Sequence, residues 1–200
     1  MTVVLMLGSA PKAVQAQEYP RAAFDQILAI NNAYAVRPDW DAMIYPYDFD
    51  PARIPVPTAN QRLVDESDFV PAQNRYGGFI YAGATMAFTC AYWALDHYRP
   101  RVIAVLGCDM TYSEQGPTHF YGTGTPDPLR QDVSLRDLSA KSARLQIMAA
   151  QQGCAIVNLS QAPSRLVFPR YDLGALPGAQ PLSFDATVAA QAIALEAALG

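Results

Sequence analysis

Short, mostly apolar runs recur along this chain, each closing on glycine, asparagine or a Tyr-Pro turn: Val3–Leu7, Gln26–Ile30, Asp41–Tyr45, Val102–Leu106 and Cys154–Asn158. Runs of this length with no strict polar alternation predict strands buried on both faces, as in a parallel sheet. Between them lie helical patterns. A long apolar helix is expected from Phe79 to Tyr98, stopped by Pro100. Leu135, Leu138, Leu145 and Met148 mark one face of another, opening at a capping-box-like Ser134-Leu-Arg-Asp137 and ending at Gly153. Asp185 caps a last helix, Ala186 to Leu199, expected to pack on the sheet through Val188, Ala192 and Leu195. Residues 49–75 carry four prolines and little periodicity and read as an irregular connection with one short strand at Arg62–Val64. Connections of this length serve as lids or oligomer contacts, which leaves a homo-oligomer open. The expected fold class is α/β, a doubly wound, mostly parallel sheet flanked by helices, in a single domain over residues 1–200 that ends in a tail and helix at 165–200.

Composition narrows the partners. With 51% hydrophobic residues in 200, the chain can bury one substantial core. A net charge of −4 with scattered Lys and Arg lacks the basic field that nucleic acid requires, so no nucleic-acid partner is expected. The apolar opening of MTVVLMLGSAPKAV is about six residues long, against roughly 7–15 for a secretory signal, and reads as a first strand. Phe79–Leu95 is shorter than the span of about 20 residues that crosses a bilayer, so no transmembrane segment is expected, and a cytoplasmic location is expected from the cysteines. Cys90, Cys108 and Cys154 fit neither a disulfide framework nor a metal-ligand spacing and read as reduced structural thiols.

The candidate chemistry lies beyond the carboxyl ends of the strands, where loops and helix N-termini converge in a parallel sheet. Gly8-Ser9-Ala-Pro-Lys12 is either a turn that brings backbone N–H groups close to a phosphate or sugar, or an ordinary strand-ending turn. Asn31 either reads a base or ribose edge or caps a turn. Gly107 closes the central strand and is grouped with them. Of two histidines, His97 ends a helix and reads as structural, whereas His119 lies in a glycine-flanked loop beyond a strand end and suits general-base work. Asp109 can orient an imidazole, accept from a sugar hydroxyl, hold a divalent ion or cap the loop. Tyr112 and Tyr121 can donate to phosphate oxygens, and Arg130 can pair with an anionic substrate group or with Asp127 or Asp132. A serine nucleophile elbow, a His-x-x-x-His pair and a diagnostic carboxylate dyad are all missing from the sequence.

Three stretches, Gly83-Ala-Thr-Met-Ala-Phe-Thr-Cys90, Val102-Ile-Ala-Val-Leu-Gly-Cys-Asp-Met-Thr-Tyr112 and Gly116-Pro-Thr-His119, resemble the core of the motility accessory factor and MptE-like proteins. They are also similar to the small bacterial sialyltransferases, whose opening Gly-x-x-Pro turn and post-strand Asn match Gly8–Lys12 and Asn31. The resemblance implies a Rossmann-like glycosyltransferase domain that takes a nucleotide-activated sugar, often a cytidine monophosphate sugar acid, and a glycan or protein acceptor. By that resemblance Gly8, Ser9, Asn31 and the helix start Gly83, Ala84 and Thr85 hold the nucleotide, while Asp109, Tyr112 and His119 line the reaction centre. The sialyltransferases place their catalytic His further along, where this chain has Ser134; either the base role moves to His119, whose Thr-His context resembles the motility-factor group, or no transfer takes place. No cofactor and no metal are required on this reading. The MptE side of the resemblance implies instead a magnesium-dependent pyrophosphoryl transfer from ATP to a hydroxymethylpterin, with Asp109 and Asp127 on the metal. A non-catalytic nucleotide- or sugar-binding protein on the same fold is the third expectation.

Overall fold

A computed structural model describes residues 2–83, 85–111, 118–122 and 137–199. Its centre is a six-stranded sheet built from β1 (Val3–Leu7), β2 (Gln26–Ile30), β3 (Ala42–Ile44), β4 (Arg62–Val64), β5 (Val102–Leu106) and β6 (Ala155–Asn158). The strands lie in the order β4-β3-β2-β1-β5-β6, and every neighbouring pair is parallel. The α/β, doubly wound architecture expected from the sequence is the one observed.

Strict alternation along each strand sorts the core into two layers, because successive side chains leave opposite faces of a sheet. Val4, Met6, Leu28, Ile30, Ile44, Ile103, Val105 and Ile156 face one side. They are covered by α1 (Glu66–Arg75), α3 (Met86–Tyr98) and α4 (Leu138–Gln151), with the single turn α2 (Phe79–Ala82) between the first two. Leu5, Leu7, Ile27, Ala29, Met43, Ala104, Leu106 and Val157 face the other. That side is covered by 3-10 helices rather than α-helices, chiefly Pro11–Glu18, Asn31–Val36 and Leu173–Gly178. Ala13, Ala16 and Ala33 are fully buried there, and such small side chains let a tight 3-10 turn lie close to the strands.

Chain direction explains why a cleft opens where it does. After β1 the chain steps through β2 and β3 to β4 at one edge; it then returns over the opposite face to lay β5 on the far side of β1. The connections that leave β1 and β5 therefore diverge, and this divergence is the topological switch point at which open α/β sheets bind ligands. All six carboxyl ends share one edge of the sheet, so every strand-end loop contributes to the same rim.

Four expectations are corrected. The helix expected over Phe79–Tyr98 is broken at Gly83, and α3 starts afresh behind Thr85, whose hydroxyl accepts from the Phe88 N–H at 3.3 Å. Gly83 cannot carry a side chain there, because a Cβ would sit 2.7 Å from the Phe79 carbonyl oxygen. The irregular connection holds α1, started by Asp65, which accepts from Ser67 N–H at 2.9 Å, and continued past Pro71. The cap of α4 is Asp137, accepting from Ala140 N–H at 2.8 Å; Ser134 and Leu135 lie outside the described residues. Finally, α5 (Ala186–Leu199) is capped by Asp185 as expected, but Val188 and Leu195 are 60% and 63% exposed and do not pack on the sheet. The Ala192 side chain lies outside the description.

Among the described residues, no helix is long and apolar enough to cross a membrane. Within α3, Phe88 to Leu95 are all buried, which is the core role expected of that segment.

Candidate functional site

The ends of β1 and β5 approach so closely that neither tolerates a side chain. Gly8 donates its N–H to Leu106 carbonyl at 2.8 Å, and Ala10 donates to Gly107 carbonyl at 2.9 Å. A Cβ on Gly8 would stand 2.2 Å from the Gly107 carbonyl oxygen and 2.6 Å from Cys108 Sγ. Gly107 adopts φ +76°, a conformation glycine takes freely, and a Cβ there would press to 2.7 Å from Ala13 Cβ. The two glycines thus stitch the switch point together and leave bare backbone at its floor.

Above this floor lies a cleft of about 970 Å³. Its walls come from five directions: the β1 turn (Gly8, Ser9, Ala10), the β2 end (Ile30, Asn31), the loop after β3 (Pro46 to Arg53), α1 (Glu66, Phe69, Val70, Gln73, Asn74) and the start of α3 (Thr85 to Thr89). The β5 end and the Thr118–Gly122 turn close the remaining side with Gly107, Cys108, Met110, His119 and Tyr121. A volume in this range is that of a small-molecule or cofactor site.

Seven of the residues singled out from the sequence line this one cleft: Gly8, Ser9, Asn31, Thr85, Gly107, His119 and Tyr121. Asn31 sits at φ +52° with its Oδ1 buried and unpartnered. A buried acceptor without a donor costs about 1–3 kcal/mol, which a donor from a bound ligand would recover.

His119 is held by its backbone and by its ring. Its N–H donates to Gly122 carbonyl at 2.9 Å, Gly122 N–H donates back at 3.1 Å, and Phe120 N–H donates to the Ser9 carbonyl at 2.9 Å. Phe120 also packs on the core layer beneath, so the turn is pinned to the β1 end and carries His119 to the cleft. The His119 ring stacks on Tyr121, centroids 5.0 Å apart, and its Nδ1 lies 2.8 Å from Thr118 Oγ1. When Nδ1–H donates to that hydroxyl, Nε2 is the basic nitrogen. Partial burial holds the imidazole pKa below its ordinary 6.5, so the ring is neutral and able to accept a proton at neutral pH.

Two expected residues do not line the cleft. Asp109 is 3% exposed and turned into the floor, where its Oδ2 accepts from Ser160 Oγ at 2.9 Å and its backbone carbonyl accepts from Arg165 N–H. Ser160 is in turn fixed by its N–H on Asn158 Oδ1 at 2.9 Å, so the carboxylate braces the β5 end against the segment after β6. Gly83 lies behind the wall, between α2 and α3. Tyr112, Arg130 and Ala84 fall outside the described residues, as do Asp127 and Asp132. His97 stacks on Trp93, centroids 4.8 Å apart, in the structural role expected of it. All three cysteines are unpaired and buried; burial, and next the Asp109 charge, push the Cys108 thiol up, away from nucleophilic use.

Several lining residues escaped the sequence reading. Gln73 is 3% exposed and donates to Thr89 Oγ1 at 2.9 Å, tying α1 to α3 in the cleft wall. Asp50, Arg53 and Glu66 stand at the mouth, beside Asp48 of the Tyr-Pro turn that ends the third strand. The signal for Gln73 and Glu66 was present in Asp65-Glu-Ser-Asp68, a capping residue followed by an acidic first turn, with Arg75 in the last turn.

No family model, curated protein or solved structure matches the chain.

Proposed function

We propose that the cleft binds a nucleotide-activated sugar and transfers its glycosyl group to an acceptor hydroxyl, with His119 as general base. The single observation that carries this reading is the meeting of Gly8, Ser9, Asn31, Thr85 and Gly107 with a neutral His119 around one cleft at the switch point. The two ends of the cleft suit different tasks. Backbone N–H groups at the start of α3 favour phosphate, through direct donation and the helix dipole, whereas at the β1 turn the Gly8 and Ala10 N–H groups are already bonded to the Leu106 and Gly107 carbonyls. The acceptor oxygen attacks the anomeric carbon while the anomeric C–O bond to phosphate breaks; the hydroxyl proton passes to His119 Nε2 and the electron pair leaves on the nucleotide. Thr118 acts as a positioning residue by fixing the tautomer, and Tyr121, whose ring stacks on His119, donates to a departing phosphate oxygen in this scheme. Positioning and leaving-group stabilisation supply most of the rate in such a scheme.

Binding comes first and is testable alone. A nucleotide present at a hundred times its Kd stabilises the native state by about 2.7 kcal/mol. For a chain of this size that raises Tm by roughly 5–10 °C. Thermal shift against cytidine, uridine, guanosine and adenosine nucleotides is expected to single out one base; no shift with any of them removes the nucleotide from the proposal.

A further inference from the structure

The cleft mouth carries an unusual charge arrangement. Asp48, Asp50 and Glu66 place three carboxylates on its rim, and Arg53 is the one Lys or Arg among the described residues that line it. None of the ion pairs between described residues includes Arg53, although Asp50 is three positions away on the same short 3-10 helix, Pro51–Arg53, which it caps through Ala52 N–H. The guanidinium is instead held by rings. Its central carbon lies 5.9 Å from the Phe49 centroid on its own loop and 5.7 Å from the Tyr121 centroid on the opposite turn. Both rings belong to cleft-lining residues, and Tyr121 is the residue stacked on His119.

This arrangement has a physical consequence. A guanidinium over aromatic faces keeps its edge N–H donors available, because ring stacking uses the face of the fork and leaves its hydrogen-bonding rim open. The rings also confine a side chain that is otherwise rich in rotamers, so less entropy is lost when the donors engage. The neighbouring carboxylates repel an anion that approaches anywhere else along the mouth. An oxyanion is therefore drawn to one place, beside the stacked pair Tyr121 and His119.

The geometry points to Arg53 as the oxyanion-binding residue of this cleft, receiving a phosphate or carboxylate of the donor substrate on its guanidinium edge. The inference rests on the donor being an activated sugar of the kind proposed above, and it narrows that donor to one whose anionic group lies next to the reacting centre. A phosphate there belongs to the nucleotide leaving group; a carboxylate there belongs to a sugar acid.

Arg53 is exposed and, among the described residues, its side chain is held by ring contacts, so Arg53→Gln and Arg53→Lys are expected to fold as the parent does. Titration calorimetry of the parent and both variants uses four probes: a nucleoside, its 5′-monophosphate, N-acetylneuraminic acid and inorganic pyrophosphate. Loss of a charge-assisted contact weakens binding roughly 10- to 100-fold. The expected result is that size of loss for Arg53→Gln with the monophosphate, the sugar acid or both, an unchanged nucleoside affinity, and partial recovery in Arg53→Lys. Loss with the monophosphate alone identifies phosphate as the partner; loss with the sugar acid alone identifies the carboxylate. If the parent binds no nucleoside or nucleotide but binds pyrophosphate in an Arg53-dependent way, the oxyanion site stands and the nucleotide-sugar reading falls. If the parent binds the nucleotide and Arg53→Gln binds every probe equally well, the Arg53 assignment is overturned while that reading survives. A parent that binds none of the four overturns both.

Discussion

Replacing His119 by Asn is expected to lower the rate of glycosyl transfer by about 10²- to 10⁴-fold, the usual range for loss of a positioned general base. The effect falls on kcat and kcat/KM together, because proton removal from the acceptor belongs to the transition state rather than to donor binding. The turn that carries His119 is fixed by its own backbone bonds and by Phe120 packed against the core, so the substitution leaves the cleft in place. pH gives an independent check with a defined sign. The base works when neutral, and burial holds its pKa below 6.5, so activity is expected to rise with pH through a midpoint under 6.5 and to be level at neutral pH. A profile of kcat/KM whose acid limb lies above 6.5, or that is unchanged in the Asn variant, assigns the base elsewhere.

The second large effect concerns the glycine pair. Gly8→Ala places a methyl 2.2 Å from a carbonyl oxygen of the neighbouring strand, and the obstacle is backbone at the floor of the sheet edge rather than the end of a flexible side chain. Relief requires β1 and β5 to separate, which breaks the Gly8–Leu106 and Ala10–Gly107 hydrogen bonds and moves the β1 turn to which Phe120 is tied. Two backbone hydrogen bonds and the strain together cost about 3–5 kcal/mol. At about 2–4 °C per kcal/mol, Tm is expected to fall by roughly 6–20 °C. Gly174→Ala is the reference: its added methyl meets open space, and Tm is expected to stay within about 2 °C. Equal melting of the two variants would mean that the seam yields more easily than its geometry implies.

Much of the fold was legible in the sequence for one reason. Strands buried on both faces read as short apolar runs with sharp ends, and Val3–Leu7, Gln26–Ile30 and Val102–Leu106 have the boundaries expected of them, as does the half-exposed edge strand Arg62–Val64. Helices were harder because their signals are distributed. The buried face of α1 is Phe69, Ala72 and Gln73, too small and too polar for a clear stripe, and Pro71 reads as a breaker although the helix continues through it. In α5 nearly every position is apolar, so pattern alone could not say which face, if any, would be buried.

The site divides along the same line. Residues that act through backbone shape or strand position, such as Gly8, Gly107 and Asn31, were found because a strand end fixes where they lie. Asp109 was placed at the right strand end but on the wrong side of it: the chain turns at Met110, φ +52°, and the carboxylate goes to Ser160, 51 residues later in the chain. Arg53 was missed because its importance comes from two rings, one of them Tyr121, far away in sequence.

Turnover decides whether this cleft transfers sugar from a nucleotide donor with His119 as base. The protein is incubated with a panel of cytidine, uridine and guanosine nucleotide sugars and a mixed set of hydroxyl acceptors, and free nucleotide is measured together with acceptor mass. Release of one nucleotide in step with a mass gain of one sugar on an acceptor is expected, at a rate that collapses in His119→Asn. Tight binding of a nucleotide sugar with neither release nor mass gain would contradict it and leave a binding protein on the same fold.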